Sequence, residues 1–324
     1  MLTDNFNRII DYLRISVTDR CNLSCKYCVN ENFQYLSHDE ILTYEEIIRF
    51  VHIAAQLGVT KVRLTGGEPL VRKRIPYLLK ELTAIQGIHD ISLTTNGVFL
   101  AEKIVELKEA GLKRINISLD SLKRERFHYI TGSDTLHLVL RGIDEAIRAG
   151  LKPVKINTVI IKGFNDDEIF DFAKLAYEKD IHIRFIEFMP FGDSTLWDSS
   201  RIIPSTVIES LLKTQYILEP TINRYNGPAK MFAMHGSSGK IGFISPLSTH
   251  ICSECNRIRL TSQGMIRPCL FSEEEYDVKN LLRNNSDDEV IKTFIHHAVK
   301  AKPEKKLETG FIKKCQRSMR HIGG

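Results

Sequence analysis

Six of the seven cysteines in this 324-residue chain fall into two triplets of different spacing, Cys21-x3-Cys25-x2-Cys28 near the start and Cys252-x2-Cys255-x13-Cys269 near the end. A structural zinc closes its tetrahedron with four ligands, and an iron–sulfur cubane takes one thiolate per iron. A triplet therefore leaves one metal position without a protein ligand, and an open position binds a substrate. Two such sites in one polypeptide point to two molecules held by metal atoms, facing each other across a shared cavity.

Other chemistries use the same residues. Zinc at the first triplet needs a fourth ligand, and the nearest downstream candidate, His38, lies in a polar stretch without ligand-like spacing. At the second triplet, His250 stands just before Cys252 and offers a Cys3His zinc set. A disulfide framework fits poorly, because the cysteine count is odd and the chain is long enough to bury its own core.

Composition places the chain among ordinary cytosolic proteins of one large domain, or one domain plus an extension. Its 43% hydrophobic and 26% charged residues suffice for a full core. The opening Met1-Leu2-Thr3-Asp4-Asn5 lacks a secretory pattern, and no apolar run reaches the ~20 residues of a membrane span. A net charge of +5, from 45 basic and 40 acidic side chains, does not argue for nucleic-acid binding.

The elements that must position the cysteines read as an alternation of strands and helices. Strands are expected at Tyr12–Val17, Lys61–Leu64, Ile91–Thr95, Ile115–Leu119, Lys155–Ile161 and Ile183–Phe188. Between them, Thr43–Leu57 carries Tyr44, Ile47, Ile48, Val51 and Ala55 on one stripe behind a Thr43-x-x-Glu46 capping box. Asp166–Lys179 repeats the pattern with Asn165 placed to cap its first turn, and Val98–Ala110 and Leu136–Ala149 end at Gly111 and Gly150. Six βα units in a row mean a parallel sheet, either doubly wound or curled into a partial barrel.

Alternation within the strands selects the barrel. Leu13, Ile15 and Val17 share one face, while Tyr12, Arg14 and Ser16 share the other. Lys61, Arg63 and Thr65 repeat the polar face, as do Thr94 and Asn96, then Asn116, Ser118 and Asp120, then Lys155 and Asn157. A strand covered by helices on both faces reads as nearly continuous Val, Ile and Leu, so these strands face a polar lumen. Arg14, Lys61, Arg63 and Lys155 point into it, and a polyanionic ligand is the simplest reason to bury them. The loops after the strands form the rim where the chemistry sits: the first cysteine loop, then Thr65-Gly66-Gly67-Glu68-Pro69, where backbone can approach a ligand closely.

With Tyr27 before the third cysteine and Gly66-Gly67-Glu68-Pro69 one βα unit later, the chain resembles the radical S-adenosylmethionine superfamily. The segment from Cys252 to Leu270, with Arg257 and Arg259, and the ending Ile322-Gly323-Gly324 narrow the resemblance to the molybdenum cofactor biosynthesis protein A family of GTP 3′,8-cyclases. It runs over essentially the whole chain, with one local departure, Val29-Asn30 where the family usually has Met-Pro.

The resemblance implies an α/β fold, a partial TIM-like (β/α)6 barrel of parallel strands over residues 1–220, and a C-terminal extension, 221–324, carrying a second iron–sulfur cluster and binding GTP. It implies a [4Fe-4S] cluster on Cys21, Cys25 and Cys28 that chelates S-adenosylmethionine, with Tyr27, Gly67, Ser118 and Met189 in contact with that cofactor. Cys252, Cys255 and Cys269 would hold the second [4Fe-4S] cluster, which takes the guanine of GTP. Arg14, Arg63, Thr94, Lys155, Arg257, Ile258 and Arg259 match GTP-binding positions, with Lys61 and Arg184 as supporting cations. The implied reaction converts GTP to (8S)-3′,8-cyclo-7,8-dihydroguanosine 5′-triphosphate, the first step of molybdenum cofactor biosynthesis. A 5′-deoxyadenosyl radical removes hydrogen from C3′, C3′ attacks C8, and a second reduction and a proton complete the product.

Implied partners are a flavodoxin or ferredoxin electron donor and a downstream cyclic pyranopterin monophosphate synthase in the cytoplasm, with no membrane or nucleic acid; a homodimer is among the arrangements allowed. Two other readings compete. A peptide-modifying radical enzyme with an auxiliary cluster calls for an extra cysteine set and a peptide-binding extension. A zinc-stabilised nucleic-acid module would use Cys252–Cys269 with Arg257, Arg259, Arg267 and the basic stretch Lys300–Lys306. The terminal Gly323-Gly324 is expected to enter the barrel beside the nucleotide, since glycine alone threads a crowded space, and Cys315 is expected to be an ordinary tail residue.

Overall fold

The computed structural model describes residues 1–29, 33–191, 196–221, 227–249, 252–305, 315 and 317–323; Asn30, His250, Lys306 and Gly324 lie outside them. Each of the six alternating segments forms a strand: β1 (Tyr12–Ser16), β2 (Lys61–Thr65), β3 (Asp90–Thr95), β4 (Arg114–Ser118), β5 (Val154–Ile160) and β6 (Ile181–Glu187). They pair side by side in chain order, all parallel. In register, Leu13 meets Val62, and Ile15 meets Leu64. These residues, with Ile115, Ile117, Ile156 and Ile183, are buried in one continuous apolar core. The opposite face carries the polar series.

Helices α1 (Tyr44–Gln56), α2 (Ile75–Ala84), α3 (Leu100–Glu109), α4 (Arg124–Thr131), α5 (Leu136–Arg148), α6 (Ile169–Glu178) and α7 (Ser205–Leu212) cover that apolar face. The start of α1 is fixed by both halves of the expected box. Glu46 N donates to Thr43 Oγ1 at 3.2 Å, and Thr43 N donates to Glu46 Oε2 at 2.7 Å, a cap whose loss costs about 1 kcal/mol. Gly111 and Gly150 follow α3 and α5 with φ of 98° and 74°, conformations that stop a helix at little cost only for glycine.

Asn165 does not cap α6, contrary to its position in the sequence. A 3-10 turn over Asp166–Glu168 intervenes, and the Asn165 amide is fully buried. Its Nδ2 donates to the main-chain oxygens of Asp120 (2.6 Å) and Val159 (2.8 Å), and its Oδ1 accepts from Ile161 N (2.8 Å). The buried loop ends after β4 and β5 need those bonds more than an exposed first turn does.

The C-terminal third adds six strands to the same sheet: β7 (Leu218–Thr221), β8 (Lys230–Met234), β9 (Lys240–Ile244), β10 (Arg257–Leu260), β11 (Met265–Arg267) and β12 (Tyr276–Asp277). Strand β9 pairs parallel with β6, and β10 pairs parallel with β1. The order is β12-β11-β10-β1-β2-β3-β4-β5-β6-β9-β8-β7, with one neighbour at each end, so among the described residues the arc stays open. The six-stranded partial barrel is present, and two parallel strands from the C-terminal third lengthen it. Helices α8 (Lys279–Arg283), α9 (Asp288–Lys300) and α10 (Met319–Ile322) complete the described elements. None of the helices is long and apolar enough to cross a membrane.

Candidate active site

A cavity of about 320 Å³ opens at the carboxyl ends of the parallel strands. All six triplet cysteines line it. So do Arg14, Arg63, Thr65, Thr94, Ser118, Asn157 and Arg184 from successive strands of the polar face.

The first cysteine loop is held from three directions. Ser24 N and Lys26 N donate to the oxygens of Thr131 (2.8 Å) and Ile130 (2.9 Å) at the end of α4. Gly67 N donates to Thr18 O at 2.6 Å, and a Cβ on Gly67 would lie 2.4 Å from Arg20 O, so no larger residue fits that contact. From the chain's end, Ser318 Oγ donates to Cys28 O (2.6 Å) and Arg320 Nη2 donates to Leu23 O (2.5 Å).

Carboxylates fix the rim. Glu68, buried, accepts from Leu70 N (2.9 Å), Thr95 Oγ1 (2.7 Å) and Asn96 N (2.6 Å). Burial outweighs those bonds and raises its pKa to about 7. Asn96, held there, donates through Nδ2 to Asn22 Oδ1 at 2.9 Å and to Cys21 Sγ at 3.8 Å. Tyr27 Oη donates to Asp120 Oδ2 at 2.5 Å, and Val159 N donates to its Oδ1 at 2.8 Å. Burial nevertheless lifts Asp120 to about 6. The thiols feel the same apolar surroundings: burial pushes Cys25 well up and Cys28 to about 11.

The second set comes from two chain segments. Cys252 opens a short 3-10 turn, Cys255 precedes β10, and Cys269 follows β11. Here burial would raise Cys255, but Arg257 and Lys302 outweigh it and bring the thiol down to about 6.

Cations dominate the wall. Arg14, Arg63, Arg184, Arg257, Arg259, Lys302 and Arg320 line the cavity against, among the described residues, one carboxylate, Asp120. Burial and mutual repulsion push Arg14 well down, and Arg184 and Arg259 to about 9. Thr94 Oγ1, Asn157 Oδ1 and Arg184 Nε are buried without a hydrogen-bond partner among the described residues. Such atoms are rare in native interiors, and a polar, anionic ligand would satisfy them.

Tyr27, Gly67, Ser118 and Met189 line the cavity, as do Arg257 and Arg259. Lys155 is buried but does not line it; it lies among Arg63, Arg114 and Arg184, and burial with their repulsion lowers it to about 5. Lys61 is not on the wall either, and pairs with Asp11 at 3.3 Å. Ile258 is buried in the apolar core beside Leu13 and does not line the cavity. Gly323 sits inside the barrel with φ 75°: Arg259 Nη1 donates to its oxygen at 2.5 Å, and a Cβ there would stand 2.3 Å from Thr65 Oγ1. Cys315 is packed with Phe191 and Ile322 away from the wall.

Several participants escape sequence reading. Asn96, Asp120 and Asn157 sit on the polar faces that the alternation reveals, but nothing local assigns them a task. Arg320 and Lys302 lie in polar stretches without periodicity, and only the fold brings them to the cysteines.

Among the described residues, no group of three or more His, Cys, Asp or Glu converges closely enough to grip a single metal ion. The two cysteine triplets nevertheless face one cavity, the arrangement a cubane suits, because it takes each thiolate on a different iron.

Residues 15–176 match the Radical SAM superfamily, and residues 181–308 match Molybdenum Cofactor Synthesis C. The chain is 48% identical, over the full length of both chains, to the GTP 3′,8-cyclases of Syntrophomonas wolfei subsp. wolfei and of Moorella thermoacetica. In fold it resembles Streptococcus suis SuiB bound to S-adenosylmethionine, with a TM-score of 0.62 and 18% identity over 90% of this chain and 68% of that one. The open parallel arc, the two cysteine sets on one cationic cavity and these full-length likenesses together show that the chain belongs to the GTP 3′,8-cyclase family of radical S-adenosylmethionine enzymes.

Proposed function

We propose that this chain cyclises GTP to (8S)-3′,8-cyclo-7,8-dihydroguanosine 5′-triphosphate, using one [4Fe-4S] cluster to present S-adenosylmethionine and a second to hold the nucleotide. The observation that carries this reading is the single cavity lined by both cysteine sets. When bound and given one electron, the first cluster with S-adenosylmethionine would supply a carbon radical able to take hydrogen from ribose C3′, and closure of C3′ onto guanine C8 would be completed by a second electron and a proton, both electrons coming from the external reductant.

Residues of this chain do the rest. Cys21, Cys25 and Cys28 would hold the first cluster, and Tyr27, Gly67, Ser118 and Met189, which line the same cavity, would contact the cofactor. Asp120 fixes Tyr27 by a 2.5 Å hydrogen bond. Cys252, Cys255 and Cys269 hold the second cluster. Arg14, Arg63, Arg257 and Arg259, with Thr94, take the polar groups of GTP, and Lys155 adds charge from behind. Guanidinium forks match phosphate oxygens in pairs, and an anionic ligand offsets the burial and mutual repulsion that lower Arg14, Arg63 and Arg259. Leu23, Ile186, Met189, Ile244, Leu270 and Phe271 complete an apolar lining that excludes water from a radical reaction. Anchoring the substrate at both ends limits its motion where ~1 Å of misplacement costs about a hundredfold.

In this proposal residues 1–220 form the radical core and 221–324 the nucleotide-binding part. The electron donor is of the flavodoxin or ferredoxin kind, the product passes to a cyclic pyranopterin monophosphate synthase, and the enzyme works in the cytoplasm, with a homodimer among the assemblies allowed.

The test is anaerobic reconstitution followed by incubation with S-adenosylmethionine, GTP and a reductant. About eight irons per chain and a cyclised nucleotide are expected. Zinc without iron, or S-adenosylmethionine cleavage without any nucleotide product, would contradict the proposal.

A further inference from the structure

The second cysteine set has nothing covalent to join its two segments, yet its main chain is gripped from behind. Lys302, in the turn after α9, is buried, and its Nζ donates to Arg257 O at 2.9 Å and to Pro268 O at 2.7 Å. The β10–β11 ladder pairs Arg259 with Arg267 and Leu260 with Ile266, and continuing that register sets Arg257 opposite Cys269. Lys302 thus closes the open end of the hairpin, two residues after Cys255 and one before Cys269. Arg8 does the same for the remaining cysteine. Its Nη1 donates to Cys252 O at 2.7 Å and Glu304 O at 2.9 Å, and its Nη2 donates to Pro303 O at 2.7 Å. A buried pair with Asp4, 2.5 Å from Nε, fixes Arg8 in turn.

The two cations differ in one respect. Arg8 has its carboxylate, whereas Lys302 makes no ion pair among the described residues and lines the cavity beside Cys255 and Cys269. Among the described residues, carbonyl dipoles take two of its three N–H donors and leave one. Burying an ammonium without an anion is costly. A cubane bearing three thiolates is an anion, and it would stand where that charge is missing.

We propose that Lys302 is the counter-cation and positioning residue of the second cluster, with Arg8 holding Cys252, so that the 302–304 turn sets both the spacing of the three thiolates and the cluster's reduction potential. Outer groups of this kind orient metal ligands and tune the metal they hold. The assignment rests on the reading that the second triplet binds a cluster.

The test uses full-length, anaerobically reconstituted enzyme and follows each cluster by iron analysis and a potentiometric EPR titration. The second cluster's signal is the one absent from a Cys252→Ser, Cys255→Ser, Cys269→Ser variant. Lys302→Met should shift the second cluster's midpoint potential to more negative values and release part of its iron, with the first cluster unchanged. Lys302→Arg, which keeps the charge, should hold the wild-type potential, and Arg8→Gln should lose second-cluster iron without shifting what remains. Wild-type iron and potential in Lys302→Met would overturn the assignment, as would loss of both clusters together or a shifted potential in a fully loaded Lys302→Arg. About four irons per chain in the wild type would overturn the two-cluster reading itself, and the assignment with it.

Discussion

The two cysteine sets share a cavity but sit in opposite electrostatic surroundings. Around the first, burial dominates, the carboxylates Asp120 and Glu68 stand beside the cation Arg320, and burial outweighs Arg320 so that Cys28 rises to about 11. Around the second, Arg257 and Lys302 overcome burial and bring Cys255 to about 6. A site near carboxylates suits a ligand carrying positive charge, as a sulfonium with an ammonium group does, whereas a site among arginines suits a triphosphate. In the proposed reading, that contrast would direct S-adenosylmethionine to the first cysteine set and the nucleotide to the second.

The strongest way to break this comparison is to remove one set at a time. Changing Cys21, Cys25 and Cys28 to Ser should release about four irons per chain and abolish S-adenosylmethionine cleavage. Changing Cys252, Cys255 and Cys269 to Ser should leave those first four irons in place and remove the cyclised product. Iron analysis with separate assays of the two products checks both, and loss of all iron in either variant would mean the sets are not independent.

Gly323 links the two halves, because its oxygen accepts from Arg259 while Ser318 and Arg320, a few residues earlier, hold the first loop. In Gly323→Ala the added methyl meets Thr65 at a backbone conformation that disfavours alanine. Iron content and thermal stability should stay near wild type while cyclised product falls severalfold or more. Full product formation in this variant would make the tail a passive end.

Arg257→Ala and Arg259→Ala should each weaken GTP binding by about 1.5–3 kcal/mol, the range for a charge-assisted hydrogen bond. That corresponds to about 10- to 150-fold in Kd, read by calorimetry. The affinity for S-adenosylmethionine should not follow. Equal losses for both ligands would erase the contrast between the two sites.

The smallest effect concerns protons. Burial, then Arg184, Arg114 and Arg63, lower Lys155 to about 5, so it is neutral near pH 7 before an anion arrives. A bound triphosphate raises it back toward the ordinary lysine range. Binding should then take up as much as about one proton, and affinity should fall as pH rises between about 5 and 10. Calorimetry in buffers of different ionisation enthalpy measures the uptake, which Lys155→Met should abolish.

What the sequence reveals here depends on how local each signal is. Period-two alternation in β1 to β6 and the capping box of α1 act within a few residues, and both the strands and the cap form as the residues dictate. Cysteine spacing and the Gly66-Gly67 contact are likewise local. The same alternation exists in Lys240–Ile244 and Arg257–Leu260, but pairing β9 with β6 and β10 with β1 is a choice among distant partners that no short window encodes. Asn165 has the type of a helix cap, and the demands of two buried loop ends override it. Arg8, Lys302 and Arg320 reach the cysteines across more than 30 residues of sequence, or nearly 300, so they become visible only in the fold.

If the two sites serve one reaction across one cavity, hydrogen passes directly from the nucleotide to the radical derived from S-adenosylmethionine. The most direct test is to give the reconstituted enzyme S-adenosylmethionine, a reductant and GTP carrying deuterium at C3′, and to weigh the 5′-deoxyadenosine formed. One deuterium in that product, alongside the cyclised nucleotide, is the predicted result. Unlabelled 5′-deoxyadenosine accompanied by cyclised nucleotide would show that hydrogen leaves C3′ by another route, and would contradict the account.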